Sequence, residues 1–152
     1  MLSRVWLAVF AFLAVTTVQV RASGIDEKTF DQQSIDALVA KASQAQPREQ
    51  CFIYAEIVHE MTELSVRQYA AGDEAKSADL LRQIQQLAHK IHLSMADDNK
   101  RLKDAEILLR HTAFRLNGML HSSSFEDRTL VEETLAQVNQ AQNEALMQVF
   151  RK

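Results

Sequence analysis

Apolar positions recur at helical spacing along most of the chain, and the widest apolar arc falls in residues 47–71. At 100° per residue, the apolar side chains of this stretch cover much more than a single stripe. The polar residues are confined to a narrow strip that includes Glu56, Glu60 and Glu63. One neighbouring helix cannot cover so wide an arc. We therefore expect a central helix that packs between at least two other helices.

The same periodicity predicts four further helices, separated by residues that are typical of turns and caps. We expect these helices over residues 28–45, 74–96, 100–121 and 126–150. Pro47 suits the first turn of the central helix, and Gly72 suits a left-handed cap at its end. Asp98 or Asn99 can cap the fourth helix. Because the third and fourth helices have nearly the same apolar phase, one continuous helix is the alternative.

Composition agrees with an all-α fold, since the chain has three glycines and one proline among 152 residues. Helices of similar length joined by short breaks imply antiparallel neighbours. We expect one domain over residues 23–152, an up-down-up-down four-helix bundle with an additional short N-terminal helix. The last helix has apolar residues in alternating steps of four and three, which is typical of a coiled-coil seam. Gln142 lies in this seam and is a candidate for setting its register.

Residues 1–22 have the pattern of a signal peptide. Arg4 provides the positive charge, residues 5–20 are almost entirely apolar, and Val20 and Ala22 are suited to cleavage before Ser23. The apolar run is shorter than the roughly 20 residues that span a bilayer. We expect export to the periplasm or the medium, with no stable membrane anchor after cleavage. An uncleaved signal anchor is the alternative.

The charge pattern and the cysteine content limit which partners and which disulfide bonds are possible. The formal net charge is −3 at pH 7, and lysine and arginine alternate with carboxylates. This pattern is typical of a solvated helical surface and argues against nucleic acid as a partner. Cys51 is the single cysteine, so the chain has no internal disulfide even in an oxidising compartment. We expect a buried thiol, and an intermolecular disulfide is the alternative.

Histidine and carboxylate residues form only incomplete metal sites. A ferritin-like di-iron site needs Glu-x-x-His on two helices. Glu56 and His59 supply one such pair, but Gln86 and His89 occupy the matching place on the third helix. His89 and His92 are three residues apart and form at most a weak surface site. Glu56, His59, His89 and His92 are therefore weak metal candidates, and we expect no cofactor.

Neither a phosphate-binding loop nor a nucleophile with a matching base occurs in the sequence, so we expect no enzymatic activity. Ile107 and Phe114 lie seven residues apart on the far side of the fourth helix and form a second, small apolar patch. In the simpler interpretation this patch docks the first helix. As a functional candidate, it is a binding surface for a protein partner or a second copy of the chain.

A set of short motifs lies between residues 51 and 121: Tyr54-Ala55-Glu56, Met61-Thr62-Glu63-Leu64, Ala70-Ala71-Gly72-Asp73, Lys90-Ile91-His92 with Ala96-Asp97-Asp98, Arg101-Leu102-Lys103, and Arg110-His111-Thr112-Ala113-Phe114-Arg115-Leu116. In these motifs the central half of the chain resembles a group of small exported bacterial helical proteins. The resemblance implies an exported helical domain and no particular activity. We therefore expect a non-enzymatic interaction or structural protein of the bacterial cell envelope. A bundle that handles a metal or haem through histidines is the alternative.

Overall fold

The computed structural model describes residues 30–95 and 100–151, and these ranges are helical and contain no strand. They form five α-helices: α1 (Gln32–Gln44), α2 (Pro47–Ala70), α3 (Glu74–Ser94), α4 (Leu102–Ser122) and α5 (Phe125–Phe150). The prediction of an all-α chain is confirmed, and each predicted helix is present with its ends moved by a few residues at most. The predicted signal peptide, residues 1–22, lies outside the described ranges. Within them, no helix has both the length and the apolar character that crossing a bilayer requires.

Side chains at the helix ends explain where the helices begin and stop. Asp31 accepts a hydrogen bond from a first-turn backbone N–H of α1 (2.8 Å), and Asp73 does the same for α3 (3.3 Å). Ser124 accepts from the first turn of α5 at 3.2 Å. Pro47 occupies the first position of α2, and Gly72 follows that helix with φ 83°. Local capping chemistry therefore defines these boundaries.

The chain breaks between α3 and α4, so the alternative of one continuous helix is wrong. α3 ends at Ser94 and α4 begins at Leu102. The predicted caps Asp98 and Asn99 lie outside the described residues. The N-cap position is instead held by Arg101, which has the left-handed φ of 58° and makes no capping hydrogen bond through its side chain.

α2 is the centre of the packing, as its wide apolar arc predicts. It contacts α1, α3 and α4, while α5 contacts α3 and α4 and completes the core. In the described part of the chain, α3 and α4 make no direct packing contact although they follow each other in sequence. The largest fully buried apolar side chains come from all five helices: Ile35, Ile57, Val58, Leu81, Ile84, Ile91, Leu109, Leu116, Val131 and Val138.

The position of α1 corrects two expectations. α1 packs on α2 alone, so it does not dock on the apolar patch of α4. Its contact with α2 includes Glu56 of the polar strip, and Glu60 of the same strip is only 2% exposed. Ile35 and Ala42 are buried in this contact, and Lys41 reaches Glu56 of α2 at 3.7 Å. The polar strip of α2 is therefore an interface in part, because aliphatic side chains of α1 pack beside its carboxylates.

Candidate functional site

A groove of about 380 Å³ between α2 and α4 brings together residues that the sequence singles out separately. Two metal candidates, Glu56 and His59, line it from α2, and the partner candidate Ile107 lines it from α4. Phe52 and Leu108 give the groove an apolar floor, and Glu60, Asp104 and His111 add charged or polar groups. The result is an amphipathic depression beside the exposed face of α4.

His59 is held by a contact between the two helices. Its Nδ1 lies 3.1 Å from the hydroxyl oxygen of Thr112, which is fully buried. The Thr112 hydroxyl donates its single hydrogen to the carbonyl of Leu108 at 2.9 Å. It can therefore only accept from His59, which assigns the proton of the neutral imidazole to Nδ1. The ring also contacts Phe30 edge-on at 6.0 Å between centroids. These contacts give His59 a structural role.

Cations from neighbouring positions neutralise carboxylates of this groove. Nζ of Lys41 lies 3.7 Å from Glu56, and Nε of Arg101 lies 2.9 Å from Asp104. The Arg101 guanidinium also stacks on the ring of Phe52, 3.5 Å from its centroid. These two contacts hold Arg101 in a backbone conformation that costs an ordinary residue about 1–2 kcal/mol. In the described ranges, no set of three histidine, cysteine or acidic side chains is placed to hold a metal ion.

The other two metal candidates lie on α3, at its contact with α5. The rings of His89 and His92 stack with 6.1 Å between centroids. Nδ1 of His92 lies 2.5 Å from a carboxylate oxygen of Glu144 on α5. Partial burial raises the pKa of Glu144, but hydrogen bonds from His92 and Gln140, with the charge of His92, lower it further than burial raises it. The arrangement is a hydrogen-bonded pair that links two helices and becomes an ion pair when His92 is protonated.

The apolar patch of α4 remains open to solvent. Phe114 is 76% exposed, and Ile107 is half-buried where it lines the groove. Next to Phe114, Arg115 binds Glu63 of α2 through both of its carboxylate oxygens, at 2.6 and 3.0 Å. Such a two-point contact has a fixed geometry and anchors α4 against α2. Phe114 is thus displayed from a helix whose position is well defined.

Sequence reasoning did not identify a second groove, of about 670 Å³, between α2 and α3. Arg48, Tyr54, Lys90 and Leu93 are among its lining residues. Helical periodicity placed Tyr54 within the apolar arc of α2, yet its side chain is half-buried at the edge of the groove. The sequence contained one signal for this groove: Arg48 is a cation in the first turn of a helix, where the helix dipole disfavours positive charge.

Comparison with known proteins assigns this chain to no family. No protein-family model, curated protein or solved structure matches it. The likeness to small exported bacterial helical proteins therefore stays a prediction, and the function has to be argued from the chain's own residues.

Proposed function

We propose that this protein is a non-enzymatic interaction protein of the bacterial cell envelope, which binds a protein partner through the outward face of α4. The observation that carries the proposal is the 76% exposure of Phe114 on a helix that is anchored by the bidentate pair between Arg115 and Glu63. An aromatic side chain displayed from a helix with a fixed backbone offers apolar area to a partner without a cost in backbone entropy, and aromatic residues are enriched at interfaces.

The residues around Phe114 support a binding role in preference to catalysis. Ile107 lies two helical turns away on the same side of α4 and continues the apolar surface into the α2/α4 groove. Two ionisable groups of that groove are engaged in structural contacts: His59 with Thr112, and Glu56 with Lys41. Catalytic acids and bases need to reach a substrate, whereas these side chains bridge neighbouring helices.

Export is part of the proposal and rests on the sequence of residues 1–22. A positive charge at Arg4, an apolar run over residues 5–20 and small residues before Ser23 make up the pattern that signal peptidase recognises. Mass spectrometry of the full chain recovered from fractionated bacteria tests it. We expect a polypeptide that begins at Ser23 in the exported fraction. An intact chain that retains Met1 in the cytoplasm would contradict export.

The bundle that we propose is up-down-up-down, with α1 as an additional helix on the outside of α2. Cross-helix contacts along α2 and α4 support a common direction for these two helices. His59 of α2 meets Thr112 of α4. Four residues further along α2, Glu63 meets Arg115, which lies three residues further along α4. These contacts therefore support a parallel direction for α2 and α4.

Two contacts between α3 and α5 support the second parallel pair. Gln85 donates to Thr134 at 3.0 Å, and seven residues further along α3, His92 meets Glu144, which lies ten residues further along α5. In this arrangement, α2 with α3 and α4 with α5 form two antiparallel hairpins that lie side by side. α3 and α4 then occupy diagonal positions, in agreement with the lack of packing between their described residues.

Photo-crosslinking in the bacterial host tests the binding face. The full chain is produced with a photoreactive phenylalanine analogue in place of Phe114, and a matched protein carries the analogue at Asn139, an exposed residue of α5. We expect a discrete adduct from the first position only, and Ile107→Glu should suppress it. A mass of two chains would identify a second copy as the partner. Equal adducts from both positions, or none from position 114, would overturn the proposal.

A further inference from the structure

The groove between α2 and α3 differs in charge from the rest of the molecule. Arg48 from the first turn of α2 and Lys90 from the last turns of α3 line it, and none of the described residues that line it is acidic. The whole chain has a formal net charge of −3. The groove is therefore a local basic region on an acidic protein. It shares no lining residue with the α2/α4 groove.

The two cations of this groove are not used in ion pairs between described residues. Most other described lysine and arginine side chains make such pairs: Lys41, Lys76, Arg82, Lys100, Arg101, Arg110 and Arg115. Glu49 is the sequence neighbour of Arg48, but its carboxylate binds Lys100 at 3.1 Å. Among the described residues, Arg48 and Lys90 thus leave two positive charges without an ion pair facing one depression.

Local stability does not explain Arg48. A cation in the first turn of a helix is repelled by the positive end of the helix dipole, and an acidic residue is the favoured choice there. A residue that breaks a local rule without a compensating contact is a candidate for function. Binding of an anion in the groove would supply the missing favourable interaction for both Arg48 and Lys90.

The groove also has an apolar part. Leu93 is 71% exposed although it is a large aliphatic residue, and Tyr54 is half-buried where it lines the groove. A ligand that fits this lining carries negative charge and an apolar side chain together. The chemistry excludes a purely inorganic anion as the best match, because such an ion leaves Leu93 and Tyr54 uncovered.

We propose that this groove binds an acidic peptide segment of a partner protein, with carboxylates at Arg48 and Lys90 and an apolar side chain against Leu93 and Tyr54. Tyr54 lies six positions after Arg48 in α2, a rise of about 9 Å. About three residues of extended peptide cover this distance at about 3.3 Å each. A recessed groove of this length suits an extended chain better than a lipid surface, which contacts protruding residues.

Fluorescence polarisation tests the proposal with the mature full chain and a short labelled peptide of alternating glutamate and leucine. The variant Arg48→Gln/Lys90→Gln removes both groove charges. Its matched control, Lys103→Gln/Arg128→Gln, removes the same net charge from exposed residues that also lack ion pairs within the described ranges. Both double variants change only exposed side chains, so both are expected to fold.

We expect the groove variant to weaken peptide binding about ten-fold, as two exposed charge contacts imply, and the control to bind like the unmodified chain. Added salt should weaken binding to the unmodified chain more than to the groove variant. The Phe114→Glu protein should keep its affinity, because the α4 face is a separate surface. Loss of peptide binding there would tie the peptide to the α4 face and overturn this inference.

Three other results would also overturn the proposal. Equal weakening by both double variants would mean that only net charge matters. Equal binding of a peptide in which glutamine replaces glutamate would mean that the groove does not select negative charge. Binding to vesicles of phosphatidylglycerol, in the absence of peptide binding, would identify an anionic lipid surface as the occupant instead.

Discussion

Alkaline pH is expected to destabilise this protein through its single cysteine. Cys51 is fully buried in the second turn of α2. Burial raises the pKa of its thiol from 9.0 to about 11, although a hydrogen bond with Ser94 acts in the opposite direction. The thiolate is disfavoured because the apolar surroundings solvate its charge poorly. The folded protein therefore holds the proton of Cys51 more tightly than the unfolded chain does.

The size of the effect follows from proton linkage. The neutral buried thiol contributes its full stability below the unfolded pKa of 9.0, and this contribution is lost as the pH rises toward the folded pKa of about 11. One pKa unit corresponds to about 1.4 kcal/mol. We therefore expect the free energy of unfolding to fall through this group by about 1.4 kcal/mol at pH 10 and by about 2 kcal/mol at pH 11.

Urea unfolding between pH 8 and pH 11 measures this loss, and Cys51→Ala is the reference. Tyrosine and lysine titrate in the same range in both proteins, so the difference between the two curves isolates the thiol. At pH 8 the free energy of unfolding should be about 1 kcal/mol higher for the unmodified protein than for Cys51→Ala, because the variant lacks the buried sulfur. This difference should disappear near pH 10 and then reverse. A difference that stays constant across the range would refute the reasoning.

The same burial predicts the chemical behaviour of the thiol. A fully buried thiol with a raised pKa reacts slowly with disulfide reagents, because it is neither ionised nor accessible. We expect negligible labelling of the native protein at pH 8 and rapid labelling in urea. Labelling of the native protein at the unfolded rate, or a disulfide-linked dimer on a non-reducing gel, would restore the alternative of an intermolecular bond.

Two further predictions concern the helix contacts. Leu109→Ala, at a fully buried position, should lower the free energy of unfolding in urea by about 2–5 kcal/mol, whereas Leu93→Ala, at a position that is 71% exposed, should change it by less than about 0.5 kcal/mol. Similar losses in both variants would contradict the assigned core. Because the pKa of Glu144 is lowered, its pairing with His92 stabilises the fold above the usual pKa of 4.5 and is lost as the pH falls below it. Between pH 6 and pH 3, the free energy of unfolding should therefore fall by a few tenths of a kcal/mol more for the unmodified protein than for Glu144→Gln. Equal losses in the two proteins would refute the pairing.

Much of the local structure was predictable because it depends on neighbours in sequence. The recurrence of apolar residues at helical spacing predicts the position of each helix, since the residues that a helix buries recur with its period of 3.6 residues. Pro47 and Gly72 mark the ends of α2 through their own backbone preferences. The burial of Cys51 followed from its place within the widest apolar arc. These features need no knowledge of which helices touch.

The contacts between distant segments depended on the tertiary structure. Glu60 lies on the polar strip of α2 by its helical phase, yet it is only 2% exposed in the folded chain. His59 was placed on the same polar strip, and its partner Thr112 is 53 residues away along the chain. Periodicity gives the direction in which a side chain projects and does not give the element that covers it.

The sequence by itself therefore determined the helices, the two ends of α2 and its wide apolar arc, all of which arise from interactions within a few residues. Only the tertiary structure decided that α1 packs on α2, that Phe114 is left exposed on α4, and that Arg48 and Lys90 face one groove. Each of these results depends on which apolar faces pair, and helical periodicity alone is compatible with more than one pairing. The choice among them comes from side-chain fit and charge across the whole core, to which all five helices contribute.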